Sequence, residues 1–297
     1  MTRALPDTAR VSARAKINVF LRVLGIREDG YHEVETLVVP IDLADRLQIH
    51  AHADPTQFRT LSLSLEVLVA PHQIGGVPMD ESNLVLRAAS SLAAAVGARG
   101  FADITLEKQV PAAAGLGGGS ADAAATLRAL NELWNCDLDD AALAEVGQAV
   151  GSDVPALLAG GAALARGRGE RVEPVTGVPS LEVALVAFPF GVSTAQAFRW
   201  WDEDGGPTGP DPGPALVAWL GGSATSLADL AHNDLEEVVI RRRPEVGKAK
   251  ERLLDAGAQA VVMCGSGPTL AVYHPEGARF EAPEGLEILW VRTEGNT

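Results

Sequence analysis

Apolar and polar residues alternate in the first third of the chain, as is typical of half-buried strands. Over 61–67 every second residue is leucine or valine, and a period of two places those side chains on one face of a sheet. The segments 34–41 and 104–106 are also rich in aliphatic and β-branched residues. The pattern predicts strands at these three places.

The middle of the chain shows the period of an α-helix instead. Along 120–134, apolar residues recur at spacings of three and four, which predicts one buried helical stripe. The residues of this stripe are Ala123, Ala124, Leu127, Leu130 and Trp134. Helices are also predicted over 83–96, ending at Gly97, and over 139–150. Another begins near Val154–Pro155, because proline suits a first helical turn.

The composition changes after residues 160–161, and strands and helices follow in mixed order. The predicted elements here are a strand over 181–188, a Gly/Pro-rich loop over 205–214, helices around 233–243 and 244–256, and a strand over 260–264. Such an order favours an α+β fold. The length of 297 residues favours two domains, which we place at residues 1–165 and 166–297.

Composition and charge exclude several classes of protein. Hydrophobic residues make up 47% of the chain and charged residues 21%, which argues against intrinsic disorder. No apolar stretch approaches the roughly 18 residues that a membrane span needs. The net charge of −15 argues against nucleic acid or an anionic membrane as the main partner, because both require a basic face. Two distant cysteines and no apolar leader predict a cytoplasmic protein.

A glycine-rich segment between a predicted strand and a predicted helix is the main candidate for chemistry. Its residues are Pro111, Ala112, Ala113, Ala114, Gly115, Leu116, Gly117, Gly118, Gly119, Ser120 and Ala121. Glycines let backbone N–H groups approach an anion, and the following helix N-terminus adds unpaired donors and partial positive charge. The segment therefore predicts a phosphate-binding loop. The simpler alternative is a flexible turn before a helix that Ser120 caps.

Two common phosphate loops fit this segment poorly. A P-loop needs lysine directly after its glycines, and none follows here. A dinucleotide fingerprint needs a third glycine where this chain has Ser120. The run from Pro111 to Ala121 instead resembles the signature of the GHMP kinases, the superfamily of galactokinase, homoserine kinase and mevalonate kinase.

Six segments, in order along the chain, narrow the resemblance to one branch of that superfamily. They are the pair 15–21 and 25–33, the loop at 111–121, and the segments 151–155, 191–194, 233–236 and 265–267. They resemble the kinases that phosphorylate 4-diphosphocytidyl-2-C-methyl-D-erythritol in the non-mevalonate route to isoprenoids. The resemblance implies the GHMP two-domain architecture: an N-terminal nucleotide-binding α/β sandwich, a C-terminal α+β domain and an active site in the cleft between them.

The resemblance also implies two catalytic residues. Asp153 would accept the proton of the substrate's 2-hydroxyl, and Lys16 would orient Asp153 and the hydroxyl while offsetting phosphoryl charge. From the residues alone, Asp153 serves equally well as the cap of the helix that begins after it. Lys16 alone would be a surface lysine at a strand edge.

Five further residues would hold the cytidine-linked substrate. By the resemblance, His32 bonds the cytosine edge, Tyr31 shapes that pocket, Phe198 stacks on the ring, and Asn18 and Thr194 contact polar groups. Without the resemblance, Phe198 is a core residue on a helix, and the pair at 31–32 is half-buried after a turn.

The implied cofactors are ATP and Mg²⁺, with metal ligands that the sequence leaves unknown. The implied partner is a small molecule, the cytidine diphosphate-linked methylerythritol, and the chain is expected to be a monomer or a weak homodimer. The rival enzyme is another GHMP kinase, homoserine kinase first, which would not need the Gly30-Tyr31-His32 sequence. The rival from another class is a non-catalytic nucleotide-binding protein, which would need neither Lys16 nor Asp153.

Overall fold

The structure, a computed structural model, describes residues 8–54, 56–69, 76–206, 208–223, 226–275 and 277–295. The chain forms two compact units, each built from segments that alternate along the sequence. The first unit comprises the described residues up to Ala15, Leu43–Ala112 and Gly118–Gly160. The second comprises Lys16–Asp42, Ala113–Gly117 and the described residues from Gly161 onward. A single domain boundary near residue 165 stays a prediction.

The described residues form mixed strands and helices. The strands are β1 (Thr8–Ile26), β2 (His32–Ala53), β3 (Leu61–Val69), β4 (Gly100–Lys108), β5 (Ala163–Gly167), β6 (Arg171–Pro174), β7 (Glu182–Ala187), β8 (His232–Asn233), β9 (Ala260–Met263), β10 (Leu270–Tyr273) and β11 (Glu287–Arg292). The helices are α1 (Leu84–Val96), α2 (Gly118–Leu133), α3 (Asp140–Val150), α4 (Val154–Leu158), α5 (Thr194–Asp204), α6 (Gly213–Leu220), α7 (Ser226–Leu230), α8 (Glu236–Arg242) and α9 (Pro244–Asp255). Within the described ranges, no helix combines the length and the apolar character that crossing a membrane requires.

The core of the first unit lies between a sheet and helices α1 to α3. Strand β3 pairs in parallel with β4, and β4 pairs antiparallel with the second half of β2. The alternating apolar residues of β3 pack against this core. The strand predicted at 61–67 is therefore confirmed.

Local sequence signals set the helix boundaries of this unit. The Asn83 side chain accepts the N–H of Val85 at 2.9 Å at the start of α1, and Gly97 ends the helix at a φ of 68°. Helix α2 begins at Gly118, slightly before the predicted start, and carries the predicted stripe into the core. Helices α3 and α4 begin where the sequence places them.

The second unit contains a four-stranded antiparallel sheet in the order β11-β7-β10-β9. Apolar side chains from α8 and α9 join those of β7, β9 and β10 in its core. The unit also holds a second group of strands, in which the first half of β2 pairs with β5, β5 pairs with β6, and β1 pairs in parallel with β8. This group carries Lys16 and His32.

Two sequence predictions in the second unit are wrong in part. Asn233 lies in strand β8 rather than in a helix, because its side-chain amide donates to the carbonyl oxygens of Met263 at 2.6 Å and Gly265 at 2.7 Å. Helix α8 starts only after this extended segment. The loop predicted over 205–214 ends early, since α6 begins at Gly213 with a proline in its first turn.

Candidate active site

Lys16 is a buried cation in the middle of β1. Its side chain is 3% exposed, and its Nζ donates to Asn18 Oδ1 at 2.7 Å and to the carbonyl oxygen of Gly115 at 3.0 Å. Asn18 Nδ2 donates in turn to Thr36 Oγ1 at 2.8 Å, and that hydroxyl donates to the carbonyl oxygen of Phe20 at 2.6 Å. Because the single hydroxyl hydrogen of Thr36 is used there, the Asn18 oxygen must face the ammonium group. The alternative of a surface lysine is wrong.

The part of the glycine loop that belongs to the second unit needs glycine at two positions. Gly115 and Gly117 adopt φ values of 79° and 68°, which L-residues rarely tolerate. A Cβ on Gly117 would stand 2.8 Å from Lys16 Cε, and one on Gly115 would overlap the carbonyl oxygen of Cys264. Ala113 has a φ of 51°, so this loop accepts strain at a non-glycine residue as well. The backbone therefore lies directly against the buried lysine.

The cysteine beneath the loop is not a nucleophile. Burial raises the pKa of the Cys264 thiol to about 12. A thiol with such a pKa stays protonated at neutral pH, and covalent chemistry requires the thiolate. Cys264 therefore has no covalent role at this loop.

The other end of the loop opens helix α2 in the first unit. The helix begins at Gly118, so Ser120 lies within its first turn rather than at its cap. The N–H groups of a first turn have no partner inside the helix, and the helix dipole adds positive potential there. A Cβ on Gly118 would stand 2.9 Å from Val110 Cγ1, so glycine permits the helix to start against the preceding strand. This arrangement suits an anion.

Asp153 is the residue immediately before α4 in the first unit. It occupies the N-cap position, yet its side chain makes no capping hydrogen bond. The segment that leads to it runs beside the start of α2, since a Cβ built on Gly151 would stand 3.8 Å from Ser120 Oγ. The structure therefore does not support Asp153 as a helix cap. Asp153 is half-buried and lies two residues after Gly151, which is next to Ser120 of the loop.

His32 and Phe198 lie together in the second unit. Their rings stack with centroids 4.5 Å apart and an interplanar angle of 28°, and Trp201 meets the imidazole edge-on at 5.7 Å. His32 Nε2 is 2.7 Å from Asp202 Oδ1. Helix α5 supplies all three partners, because positions 198, 201 and 202 share one helical face. Phe198 is not a fully buried core residue, because its side chain is only half-buried.

Tyr31 is exposed and carries a contact that the sequence does not reveal. Its side chain is 52% exposed, and the Arg168 guanidinium carbon lies 4.4 Å from its ring centroid. Such a cation–π contact holds an otherwise exposed ring in place. Arg168 follows β5, far from Tyr31 along the chain, and no local pattern marks it.

Thr194 begins helix α5 and faces a second glycine-containing loop. Ser193 caps this helix and forms a capping box with Gln196, which fixes the position of the first turn. Thr194 Oγ1 lies 3.3 Å from Ser266 Oγ, in the segment 265–267. In the second unit the structure thus groups Lys16 and Asn18 with the loop, His32 with Phe198, and Thr194 with Ser266.

Comparison with known proteins gives two family matches. The model of the GHMP kinases N terminal domain matches residues 83–161, and the model of the GHMP kinases C terminal domain matches residues 214–286. The first of these matches contains the glycine loop and Asp153.

Two relatives are similar over most of their length. A 4-diphosphocytidyl-2-C-methyl-D-erythritol kinase from Pelotomaculum thermopropionicum is 47% identical over 258 residues, which cover 87% of this chain and 86% of the relative. A kinase of the same name from Moorella thermoacetica is 44% identical over 267 residues, which cover 89% of each chain.

Solved structures give the same assignment at the level of the fold. A crystal structure of 4-(cytidine 5'-diphospho)-2C-methyl-D-erythritol kinase has a TM-score of 0.73 and 33% identity, with 97% of this chain and 100% of that chain covered. An L. major mevalonate kinase in complex with R-mevalonate has a TM-score of 0.70 at 14% identity, with 99% of both chains covered. The second similarity concerns the fold alone.

Proposed function

The chain belongs to the 4-diphosphocytidyl-2-C-methyl-D-erythritol kinase family of GHMP kinases, and we propose that it transfers the γ-phosphoryl group of ATP to the 2-hydroxyl of that cytidine-linked alcohol. The products are the 2-phosphate and ADP, in the non-mevalonate route to isoprenoids. The observation that carries the proposal is the buried Lys16, which bonds the glycine loop at Gly115. A small-molecule kinase of this kind needs a cation and a phosphate loop in one place.

The residues of the loop fit a nucleotide. Glycine at 117 and 118 lets the loop backbone lie against Lys16 and Val110, because a Cβ at either position would meet one of these side chains within 3 Å. The first turn of α2 adds N–H donors and the positive end of the helix dipole. We propose that residues 111–121 hold the phosphates of ATP.

We propose that Mg²⁺ enters with the nucleotide. This ion keeps several water ligands and is commonly bound through phosphate oxygens, so few protein ligands are needed. Across the described ranges, no three His, Cys, Asp or Glu side chains are grouped to hold a metal. Activity should disappear on chelation and return when Mg²⁺ is added back.

Asp153 and Lys16 have separate tasks in the proposed reaction. Asp153 accepts the proton of the 2-hydroxyl as that oxygen bonds to the γ-phosphorus. The bond between this phosphorus and the β–γ bridging oxygen breaks, and the electron pair leaves with ADP. Lys16 stabilises the negative charge that develops on the transferred oxygens, and its bond to Asn18 fixes the direction of its ammonium group.

The second group of residues supports recognition of cytosine. We propose that Phe198 stacks on the base and that the imidazole of His32, already held by Asp202, bonds its edge. Tyr31, whose ring contacts the Arg168 guanidinium group, forms one side of this pocket. Asn18 and Thr194 contact polar groups of the substrate. This set of residues favours the cytidine compound over homoserine, which has no base to stack.

The substrate assignment is tested by assaying the purified chain with ATP and Mg²⁺ on three alcohols. We expect phosphorylation of the cytidine compound and none of homoserine or mevalonate. Transfer to homoserine alone would remove the substrate assignment and keep the kinase. ATP binding without transfer to any alcohol would favour the non-catalytic alternative.

The proposed base is tested with Asp153→Asn, which preserves shape. We expect kcat to fall by about 10²–10⁴-fold, the range for loss of general-base catalysis, while both KM values change little. The melting temperature of the variant is measured beside kcat, so that a loss of chemistry is distinguished from a loss of folding. Asp139→Asn is the matched control, since that aspartate does cap a helix, accepting the N–H of Ala142 at 2.8 Å. A variant with full kcat would exclude Asp153 as the base.

We further propose that the chain acts in the cytoplasm as a monomer or weak homodimer. Its acidic charge supports a small-molecule partner rather than nucleic acid. Sedimentation across a range of protein concentrations tests the oligomeric state.

A further inference from the structure

Three charged side chains lie buried together in the first unit, outside the residues assigned above. Asp45 is 0% exposed, Lys108 is 4% exposed and Asp122 is 2% exposed. Lys108 Nζ donates to both carboxylates, to Asp45 Oδ2 and, at 2.8 Å, to Asp122 Oδ2. Buried charges of this kind add little stability compared with apolar residues of the same size. Their presence points to a role other than stability.

Asp122 in particular destabilises the fold. One ammonium group faces two carboxylates, so the cluster carries a surplus negative charge when all three groups are ionised. The second oxygen of Asp122, Oδ1, is buried and has no hydrogen-bond partner in the part of the chain that the structure describes. An unsatisfied buried oxygen costs stability.

The cluster joins the two ends of the glycine loop. Asp45 Oδ1 accepts the backbone N–H of Gln109 at 2.5 Å and that of Val110 at 2.8 Å, directly before the loop begins. Asp122 lies in the first turns of α2, directly after the loop ends. Lys108 therefore links the strand that enters the loop to the helix that leaves it, and all five residues belong to one compact unit.

The packing at the start of α2 depends on the same lysine. A Cβ on Gly118 would stand 3.3 Å from Lys108 Nζ and 2.9 Å from Val110 Cγ1. The ammonium group thus lies close beneath the first residue of the helix, and any shift of Lys108 changes where the first turn sits. The backbone N–H groups of this first turn of α2 are the donors that we propose for the phosphates of ATP.

We propose that Asp45, Lys108 and Asp122 form a clasp that fixes the spacing between the two ends of the glycine loop and so positions its N–H groups for the phosphates of ATP. The inference rests on the proposed function. The three are positioning residues that act through the backbone of the loop. The clasp concerns the nucleotide and leaves recognition of cytosine untouched, because His32 and Phe198 lie in the other unit.

The test compares Asp122→Ala with Asp122→Asn. Alanine removes the acceptor for Lys108, whereas the asparagine oxygen can still accept that hydrogen bond. We expect Asp122→Ala to raise KM for ATP about tenfold, since small misplacements of binding groups carry large penalties. KM for the cytidine substrate should stay within about twofold. Asp122→Asn should restore KM for ATP to within about twofold of the parent.

A direct binding measurement and a control separate positioning from stability. Calorimetry with a non-hydrolysable ATP analogue should show the same tenfold loss for Asp122→Ala. The control is Thr126→Val, which removes a fully buried hydroxyl one turn further along α2 that donates to the carbonyl oxygen of Asp122 at 2.7 Å. It should lower the melting temperature and leave KM for ATP unchanged. If Asp122→Ala does not fold, Asp45→Asn replaces it as the test. The asparagine amide would turn N–H donors toward the Lys108 ammonium group or toward the backbone N–H groups that Asp45 now accepts. We expect this variant to raise KM for ATP and to leave KM for the cytidine substrate unchanged.

Two outcomes would overturn the clasp. One is an unchanged KM for ATP in Asp122→Ala, and the other is an equal rise in both KM values that asparagine does not rescue. Failure of the parent enzyme to phosphorylate the cytidine compound would instead reject the proposed function. An active parent with an unaffected alanine variant would reject only the clasp.

Discussion

At the scale of single residues, the site depends on backbone that has no room for a methyl group. Gly117 combines a φ of 68° with contact to Lys16, and a Cβ there would stand 2.8 Å from Cε and 2.9 Å from Cγ of the lysine. The glycine run in the sequence predicts a loop that binds an anion. The partner that the glycine accommodates is distant in sequence and is apparent only from the fold.

Gly117→Ala should therefore disable the enzyme more than it destabilises the fold. The added methyl group displaces the ammonium group of Lys16, so we expect kcat/KM to fall by about 100-fold. The matched control is Gly97→Ala, because Gly97 has the same φ of 68° with open space around it. The control should lose about 1 kcal/mol of stability from backbone strain and keep its activity. Equal activity in both variants would show that Gly117 is needed for conformation alone.

The ionisation of Asp122 gives a pH dependence with a definite sign. Burial raises the pKa of this carboxyl to about 7, although Lys108 opposes the shift. A carboxyl whose pKa is raised in the folded state binds its proton there more tightly than in the unfolded chain. Its contribution to stability is therefore present at low pH and is lost as the pH rises through about 7.

The measurement is the free energy of unfolding of the parent and of Asp122→Asn at several pH values. Between about pH 5 and 8 the free energy of unfolding of the parent should fall by about 2–3 kcal/mol relative to that of the variant. The loss is about 1.36 kcal/mol for each pH unit up to the folded-state pKa of Asp122. An Asp122→Ser variant tests whether any neutral residue has the same effect. A constant difference across this range would show that Asp122 does not titrate there.

At the scale of elements, the sequence predicts what local signals determine. The end of α1 at Gly97 and the alternation in β3 depend only on neighbours along the chain, and both are confirmed. Strands β1 and β2 are much longer than any pattern suggests, because their central residues are buried on both faces and do not alternate. Strand β8 has two residues and depends on a side-chain bond from Asn233 to distant carbonyl groups. Such non-local contacts leave no periodic pattern.

The candidate site shows the same limit. The resemblance identifies His32 and Phe198 as separate contacts of cytosine, and only the fold shows that their rings already stack on each other. Likewise, Lys16 is predicted as a catalytic residue, whereas its burial and its bond to Gly115 come from pairing across the chain. Residue types can be inferred from motifs, but their contacts require the tertiary structure.

Helix α5 makes a prediction that belongs to the element as a whole. It presents Phe198, Trp201 and Asp202 to His32 from one face, so the aromatic ring can be removed while the other contacts remain. We expect Phe198→Ala to raise KM for the cytidine substrate about 5- to 150-fold, which corresponds to the 1–3 kcal/mol of one base–aromatic stack. KM for ATP should not change.

Phe190→Ala is the control for Phe198→Ala. Phe190 is also half-buried in the second unit, where it contacts Phe188 with ring centroids 5.5 Å apart, and we assign it no role in binding. It should leave both KM values unchanged. An unchanged KM for the cytidine substrate in Phe198→Ala would remove this residue from the site.

At the scale of the whole molecule, the net charge of −15 disfavours substrate binding, because both substrates are polyanions. The long-range field of the protein repels them, whereas in the site that we propose Lys16, the loop N–H groups and the helix dipole attract them at short range. These two effects respond differently to salt. Exposed charges are screened beyond about 8–10 Å at physiological ionic strength, and contacts with a buried lysine are screened much less.

This difference predicts an unusual salt dependence. With Mg²⁺ held constant and saturating, we expect KM for ATP to fall about two- to threefold as KCl rises from about 10 to 150 mM, because repulsion is screened before attraction. Most enzymes that bind anions through exposed basic residues show the opposite trend. Adenosine, which is uncharged, is the control ligand, and its dissociation constant should not respond to salt. A rise of KM with salt would mean that exposed cations, rather than the buried lysine and the loop, dominate nucleotide binding.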